Sequence, residues 1–285
     1  MPRPTANQLS WFVRVLWLVV ALLPNNFTDS LEQHSSALRN TTTVELWTLW
    51  AIVTIALWIL HPLSLTVARC VAPVIAVHLI VGIGDADTVA WAIASGICAV
   101  LASLVIFNSE YGNLHVQAGA YGDEKRFLLR VPVSLFVPVG LAYLLLVAAV
   151  MFTPLLIADR LWVFGGIGLV LSVGLLVKLA PRLYQLAKRW LVFVPAGIVI
   201  HDPTMLSEVL MLRHGEVVSI ALAPANSQAI DLTGFTRGIP LEVQLREMID
   251  VRLTPFAARI LKTTDALHVQ AFLTAPTRPE QVLRR

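Results

Sequence analysis

Charged residues are scarce in this sequence. Asp, Glu, Lys and Arg make up 14% of its 285 residues, and 57% are hydrophobic. Ordinary soluble domains carry roughly 25% charged residues, so the composition predicts an integral membrane protein. The net charge is only +3, and no dense basic stretch carries interleaved aromatic residues, which argues against nucleic-acid binding.

Cysteines are few, and reactive motifs are lacking. Cys70 and Cys98 both lie in apolar runs, which excludes a disulfide framework and a cysteine-based zinc site. His201-Asp202 and His214 have no further ligands nearby in the sequence, and we interpret His201-Asp202 as the end of a strand before a turn. No nucleophile motif or phosphate loop occurs. The sequence therefore predicts no enzymatic activity, no cofactor and no metal site.

Long apolar runs fill the first two thirds of the chain. A bilayer core requires about 20 apolar residues per helix. Six runs reach or approach that length, near residues 9–23, 46–60, 63–83, 88–107, 132–157 and 161–180. The first run also resembles a signal peptide, although no small-x-small cleavage site follows it. Residues 1–181 are predicted to form a transmembrane domain of about six helices.

The basic residues predict the orientation of these helices. With a cytoplasmic N-terminus, seven of the nine Lys and Arg residues before residue 182 fall on the inner side, and only Arg39 and Arg160 on the outer side. Both termini are therefore expected in the cytoplasm, on the inner side of the membrane. The outer loop, residues 25–44, contains sequons at Asn26 and Asn40, a pattern too common to carry weight.

Two ionisable residues inside the predicted helices are the intramembrane polar candidates. Arg69 lies near the inner end of the third helix, and its side chain is expected to reach the headgroup region, as is that of Lys178 in the sixth. His78 lies deeper and is the candidate for proton relay or ligand binding. A histidine that lacks a carboxylate partner in a neighbouring helix is more often a structural group.

Small residues recur along the fourth run at the spacing of close helix packing. The pairs are Ala92/Gly96, Ser95/Ala99 and Ala99/Ser103, each separated by four residues. We interpret them as a packing face. A protease nucleophile at Ser95 would require a catalytic histidine in the sixth run, where none occurs.

After Pro181, alternation of apolar and polar residues replaces the long runs. Residues 190–194 and 198–200 flank Pro195-Ala196-Gly197, which predicts a hairpin. Alternating segments at 216–222, 241–245, 249–253 and 266–273 predict half-buried antiparallel strands. Residues 241–249, after Pro240, also fit an amphipathic helix. Residues 182–285 are therefore predicted to form a small, mainly β cytoplasmic domain, with a short helix starting at Thr277 or Pro279.

Basic and aromatic residues cluster where the last apolar run meets this tail. Such residues hold a protein at a membrane surface, because the charges face anionic headgroups and the rings lie at the boundary. We call this cluster the interfacial anchor, and it consists of Arg182, Tyr184, Lys188, Arg189 and Trp190.

Three segments of the tail carry a resemblance. They are RWLVFVPAGIVIHDP at 189–203, LMLRHGEVVSIAL at 210–222 and AFLTAPTRPEQVL at 271–283. They resemble bacterial pleckstrin-homology-like (PH-like) domains attached to membrane spans, and the whole layout resembles a multi-pass membrane protein of actinobacteria. The resemblance implies a seven-stranded bent sandwich with a C-terminal helix, a role in binding or assembly, and no catalytic residues.

These observations predict a non-enzymatic accessory or scaffold protein of the inner membrane. Its cytoplasmic β domain is expected to bind a protein or lipid partner, and the other expected partners are the lipid bilayer and a second copy of the chain. The alternative is a small transporter or channel. That function would require an oligomer, because His78, Arg69 and scattered Ser and Thr residues are the few polar groups available to line a path.

Overall fold

The chain is described by a computed structural model that covers residues 6–23, 35–85 and 88–284. It divides into two compact units. The helical unit combines Met1–Gly112 with Leu141–Arg182, and the β-rich unit combines Asn113–Gly140 with Leu183–Arg285. The sequon at Asn26 and the outer loop up to residue 34 lie outside the described residues.

Helices make up most of the chain before residue 188. They are α1 (Ala6–Leu22), α2 (Ser36–Trp58), α3 (Pro62–Val81), α4 (Val89–Phe107), α5 (Ser109–Ala118), α6 (Phe136–Ala158) and α7 (Trp162–Ala187). Short 3₁₀ turns lie at Gly82–Asp85 and Val133–Leu135. Among the described residues, five helices are long and apolar enough to cross a membrane, namely α2, α3, α4, α6 and α7. The first of the six predicted runs forms α1, which is apolar but shorter.

Two of these helices differ in extent from the predicted runs. α2 starts at Ser36, ten residues before the predicted run, because Ser35 caps it by accepting a hydrogen bond from the Leu38 amide at 3.3 Å. α7 continues through Pro181 to Ala187. Leu183 and Ala187, one helical turn apart, are both buried. Their packing offsets the single hydrogen bond that the proline removes from the helix.

Packing in the helical unit joins α1 to α2 and α4, and α3 to α2 and α4. Between α1 and α2, the indole of Trp17 donates to the Trp50 carbonyl at 3.2 Å, and the Trp50 indole donates back to the Trp17 carbonyl at 3.0 Å. On α4, the predicted packing face is largely buried. Its buried members are Ser95, Gly96, Ala99 and Ser103, whereas Ala92 is half-buried.

The β-rich unit contains two four-stranded sheets. One has the order β1 (Lys125–Leu128), β2 (Trp190–Val194), β3 (Gly197–His201) and β4 (Leu210–Arg213), and all its neighbours are antiparallel. The other has the order β5 (Val217–Leu222), β7 (Leu241–Arg252), β8 (Ala266–Thr274) and β6 (Ile230–Asp231), in which only the β6–β8 pair is parallel. Two short helices, α8 (Pro255–Leu261) and α9 (Pro279–Leu283), complete the unit.

The strand prediction for the tail is confirmed, with three differences. The segments 241–245 and 249–253 form essentially one long strand, β7, with a shift of register between Gln244 and Ile249. Leu241, Val243 and Leu245 are buried as the alternation predicted, so the helical alternative for this segment is wrong. The described strands number eight, whereas the resemblance implied seven. The unit also takes in residues 113–140, because β1 pairs with β2 along its whole length.

The hairpin that follows α7 has the predicted form. Val194 pairs with Gly197 across a two-residue turn. Gly197 also pairs with Arg213 of β4, and a Cβ at this position would collide with the carbonyl oxygen of Leu212. Only glycine leaves room for β3 and β4 to approach this closely. The side chains of the two sheets share one apolar core, which includes Leu191, Leu212 and Phe272.

Candidate functional site

A groove in the β-rich unit collects positive charge. Its lining residues come from α5, β1, α9 and their flanks, and they are Asn113, Gln117, Lys125, Arg126, Phe127, Arg278, Gln281 and Arg284. Four of these residues are cationic, three carry amide side chains, and none is acidic. We call this site the basic groove. Its composition suits an anionic group, because Lys and Arg side chains offer only hydrogen-bond donors together with positive charge.

Two amide side chains hold the elements of the groove together. Gln117 of α5 accepts a hydrogen bond from the Arg126 amide at 2.8 Å and donates to the Glu124 carbonyl at 3.0 Å. Asn113 accepts from the Leu128 amide at 2.9 Å and donates to the Thr277 hydroxyl at 2.7 Å. α5, β1 and the segment before α9 are therefore fastened to one another, and the cationic side chains project from a fixed frame.

One carboxylate beside the groove modulates its charge. Glu124 accepts from the Arg126 guanidinium at 2.7 Å and from the Tyr121 amide at 3.3 Å. The hydrogen bonds from Arg126 and then Tyr121 hold the pKa of the Glu124 carboxyl below its usual range, so it is ionised at neutral pH. Glu124 therefore cancels the charge of Arg126, and the groove is also lined by the cationic residues Lys125, Arg278 and Arg284.

Arg189 is buried and takes no part in the predicted interfacial anchor. Its side chain is 1% exposed, and its Nε and Nη2 each donate to a carboxylate oxygen of Asp202 at 2.7 Å. Its Nη1 donates to the Arg130 carbonyl at 2.7 Å. A guanidinium satisfied in this way cannot present its charge to a headgroup. Asp202 also accepts from the Thr204 amide at 3.1 Å, which stabilises the turn after β3.

The other members of the interfacial anchor lie in different surroundings. Arg182 is exposed. The ammonium of Lys188 lies 4.4 Å from the ring centre of Tyr184, close enough for a cation–π contact. Trp190 stacks on the imidazole of His201 with ring centres 4.9 Å apart. Three members of the interfacial anchor therefore remain as a basic and aromatic group at the end of α7, namely Arg182, Tyr184 and Lys188.

Two arginines of the helical unit bind the C-terminal ends of neighbouring helices. Arg69 Nε donates to the Ile106 carbonyl in the last turn of α4 at 3.1 Å, and Arg14 Nε donates to the Leu57 carbonyl in the last turn of α2 at 3.1 Å. The last carbonyls of a helix lack intrahelical partners and carry partial negative charge, so a guanidinium is favourable there. Arg69 was expected to reach the headgroups, and it instead satisfies a carbonyl of the protein.

His78 has a carboxylate neighbour that the sequence interpretation overlooked. Its Nε2 lies 4.0 Å from Oε2 of Glu45 on α2, and both side chains are less than 10% exposed. Its Nδ1 lies 3.3 Å from the Val74 carbonyl oxygen. The second predicted run starts at residue 46, so the sequence interpretation left Glu45 just outside it. The early start of α2 places Glu45 inside the helix instead.

Comparisons of the chain with protein family models, with curated proteins and with solved structures gave no match. Its function is therefore inferred from its own residues. Two arrangements have clear chemical consequences. The basic groove can hold an anion, and the buried pair of Glu45 and His78 can hold a proton.

Proposed function

We propose that this chain is a non-enzymatic, multi-pass protein of the bacterial inner membrane whose β-rich unit binds an anionic lipid headgroup at the cytoplasmic face. The basic groove is the observation that carries this proposal. We further propose that the β-rich unit is PH-like, with β1–β4 and β5–β8 as its two sheets and α9 as its closing helix. A second membrane protein or another copy of the chain is the expected partner of the helices.

The outward surfaces of the long helices support membrane embedding. Val163, Val170 and Val177 lie on one face of α7, and each is exposed. Apolar faces of this length are unfavourable in water, and a bilayer provides the apolar surroundings that they require. The five long apolar helices and the scarcity of charge point in the same direction.

The path of the chain supports a lipid as the anionic partner. β1 is joined to α6 by residues 129–135, and β2 follows α7 after residues 188–189. The two paired strands are thus connected directly to the two apolar helices that we propose to cross the membrane. The cytoplasmic leaflet is rich in anionic lipid, and each Lys or Arg near its surface contributes about 1 kcal/mol to binding.

Removing three cations of the basic groove is expected to abolish most of the binding. The triple variant Lys125→Gln, Arg278→Gln, Arg284→Gln should bind anionic short-chain phosphatidylglycerol about a hundredfold more weakly, since about 1.4 kcal/mol corresponds to a tenfold change. The measurement is a titration of the purified full-length chain in a neutral detergent, followed by native mass spectrometry. Zwitterionic phosphatidylcholine of the same chain length and inorganic phosphate are titrated in parallel.

The matched control removes the same charge elsewhere on the β-rich unit. Arg213, Arg246 and Arg259 are exposed and do not line the groove, so their replacement by Gln should leave phosphatidylglycerol binding unchanged. Equal losses in both triple variants would mean that total charge, and not the groove, controls binding. Equal affinity of the wild-type chain for phosphatidylcholine would contradict the proposal, and binding of inorganic phosphate alone would replace the lipid by a soluble phosphate.

Glu124→Gln is expected to have the opposite effect. The substitution removes the charge that cancels Arg126, so phosphatidylglycerol should bind several-fold more tightly. Because the pKa of the Glu124 carboxyl is lowered, it is ionised at neutral pH and becomes protonated only as the pH falls through that lowered pKa. Binding to the wild-type chain should therefore strengthen on acidification, and binding to the variant should change less. The same titration at two pH values measures both effects, and an unchanged affinity at neutral pH would show that Arg126 does not contribute.

Transport by an oligomer is the second candidate function, and the buried pair of Glu45 and His78 is the observation that favours it. A transporter uses groups that change their charge inside the membrane. Transport does not depend on the basic groove. A negative result for lipid binding therefore leaves transport open to test, and the reverse also holds.

A further inference from the structure

Glu45 and His78 are two buried ionisable residues of the helical unit whose side chains approach each other. Glu45 lies on α2 and His78 lies on α3, and both side chains are less than 10% exposed. In the described part of the chain, neither Oε atom of Glu45 nor Nε2 of His78 has a hydrogen-bond partner. Buried polar atoms are nearly always hydrogen-bonded, because an unpaired polar or charged group in apolar surroundings is unfavourable. The geometry therefore indicates that something else satisfies these atoms.

A single proton satisfies both groups at once. The Nε2–Oε2 separation of 4.0 Å exceeds a hydrogen bond by about 1 Å, which a small movement of either side chain removes. With one proton, the pair is either a carboxylic acid beside a neutral imidazole or a carboxylate beside an imidazolium. Both forms are neutral overall. With no proton the pair carries a negative charge, and with two protons it carries a positive charge, and neither is balanced in these apolar surroundings.

Two arginines of the helical unit, Arg14 and Arg69, lie too far from the pair to provide this balance. Arg14 of α1 is hydrogen-bonded to the Leu57 carbonyl, twelve residues or about 18 Å along α2 from Glu45. Arg69, on the same helix as His78, is hydrogen-bonded to Ile106 and lies nine residues or about 13 Å away along the axis.

The remaining titratable groups on the elements that pack around the pair are few. They are Arg39 on α2, Cys70 on α3, Asp85 at the end of the turn after α3, and Cys98 on α4. Arg39 is exposed and lies six residues before Glu45. α4 carries no Asp, Glu, Lys or Arg.

A third buried polar group lies at the same level of the bundle. Ser95 on α4 is fully buried, and its hydroxyl has no hydrogen-bond partner among the described residues. The next residue, Gly96, lies opposite Ile80, two residues after His78 on α3. A hydroxyl can both donate and accept a hydrogen bond. The Ser95 hydroxyl is therefore suited to bind a neighbouring group whether that group carries the proton or has lost it.

We propose that Glu45 and His78 form a binding site for a single proton inside the helical unit, shared between the carboxyl oxygen of one and Nε2 of the other. The site stands independently of the basic groove and of lipid binding. Gain or loss of that proton changes the charge of the buried pair by one unit. Such a change inside an apolar bundle is what a proton-coupled movement of α2 against α3 requires.

Counting the protons on both groups in the wild-type chain tests the proposal. The full-length protein is reconstituted into lipid bilayers with ¹⁵N-labelled histidine. Infrared difference spectroscopy then reports the protonated carboxyl of Glu45, and solid-state ¹⁵N NMR reports the two ring nitrogens of His78. From about pH 5 to pH 8, the range in which histidine normally titrates, the two groups should together carry one proton. An ionised carboxyl beside a neutral imidazole, or a protonated carboxyl beside an imidazolium, would overturn the proposal.

Two variants assign the signals and test the coupling between the groups. Glu45→Gln should remove the carboxyl signal and change the ¹⁵N shifts of His78, and His78→Gln should shift the carboxyl frequency of Glu45. Glu208→Gln, on an exposed residue of the β-rich unit, is the matched control and should change neither signal. His78 shifts that stay the same in Glu45→Gln would contradict a shared proton. A response to sodium ions in place of pH would show that the site binds a metal cation instead. If either variant fails to fold, the other assigns the pair.

Discussion

Asp202→Ala is expected to destabilise the β-rich unit by about 3–5 kcal/mol, a large fraction of the roughly 5–15 kcal/mol by which an ordinary domain is stable. The substitution removes both carboxylate oxygens that bind Arg189 and leaves a 1% exposed guanidinium without its counter-charge. Among the described residues, the Arg130 carbonyl is then the remaining hydrogen-bond partner of this guanidinium. The turn after β3 also loses the acceptor for the Thr204 amide.

Hydrogen–deuterium exchange of the full-length chain in detergent measures this effect. In wild-type protein the amides of β2 and β3 should be protected, and in Asp202→Ala they should exchange rapidly. The control is Glu208→Ala, which removes an ion pair with Arg252 whose side chains are about two-thirds exposed. Exposed pairs contribute less than about 1 kcal/mol, so protection should persist. Wild-type protection in Asp202→Ala would show that the buried pair does not hold the unit together.

Val243→Asp is expected to be at least as disruptive, with a loss above about 4 kcal/mol. Val243 is 1% exposed, lies on β7 between the strands β5 and β8, and belongs to the shared apolar core. An aspartate at this position either buries a charge without a partner or separates the two sheets. Both outcomes remove the apolar contacts that stabilise the unit.

Met248→Asp is the matched control for this prediction, because it introduces the same charge on the same strand. Met248 lies within the register shift of β7 and is 66% exposed. Limited proteolysis of the full-length chain should cut the tail of Val243→Asp rapidly and leave Met248→Asp as resistant as wild type. Similar resistance in both variants would contradict the inward orientation of Val243.

Much of the local structure could be predicted from residue patterns. The apolar runs predicted the long helices because a run of about 20 apolar residues has the length and composition of a helix that crosses a bilayer. The alternation at Leu241, Val243 and Leu245 predicted a strand with one buried face. The helix α8 was not predicted, although Thr254 followed by Pro255 is an ordinary helix start, because it directly follows an alternating segment and is only seven residues long.

The candidate sites depend on pairings between distant parts of the chain. The basic groove joins β1 to the segment around α9, about 150 residues later in the sequence, and no local pattern records that approach. Arg189 looked like a membrane anchor because its neighbours are basic and aromatic. Its burial depends on Asp202, thirteen residues away across the hairpin of β2 and β3.

The sequence by itself determined the apolar helices, the alternating strands and the short closing helix, because these follow from the spacing of apolar residues and from turn residues close in the chain. Only the tertiary structure decided which ionisable groups meet. Glu45 became a partner of His78 because α2 starts early and packs against α3. Contacts of this kind depend on the angle and level at which two elements pack, and a single sequence does not encode those quantities in any local spacing.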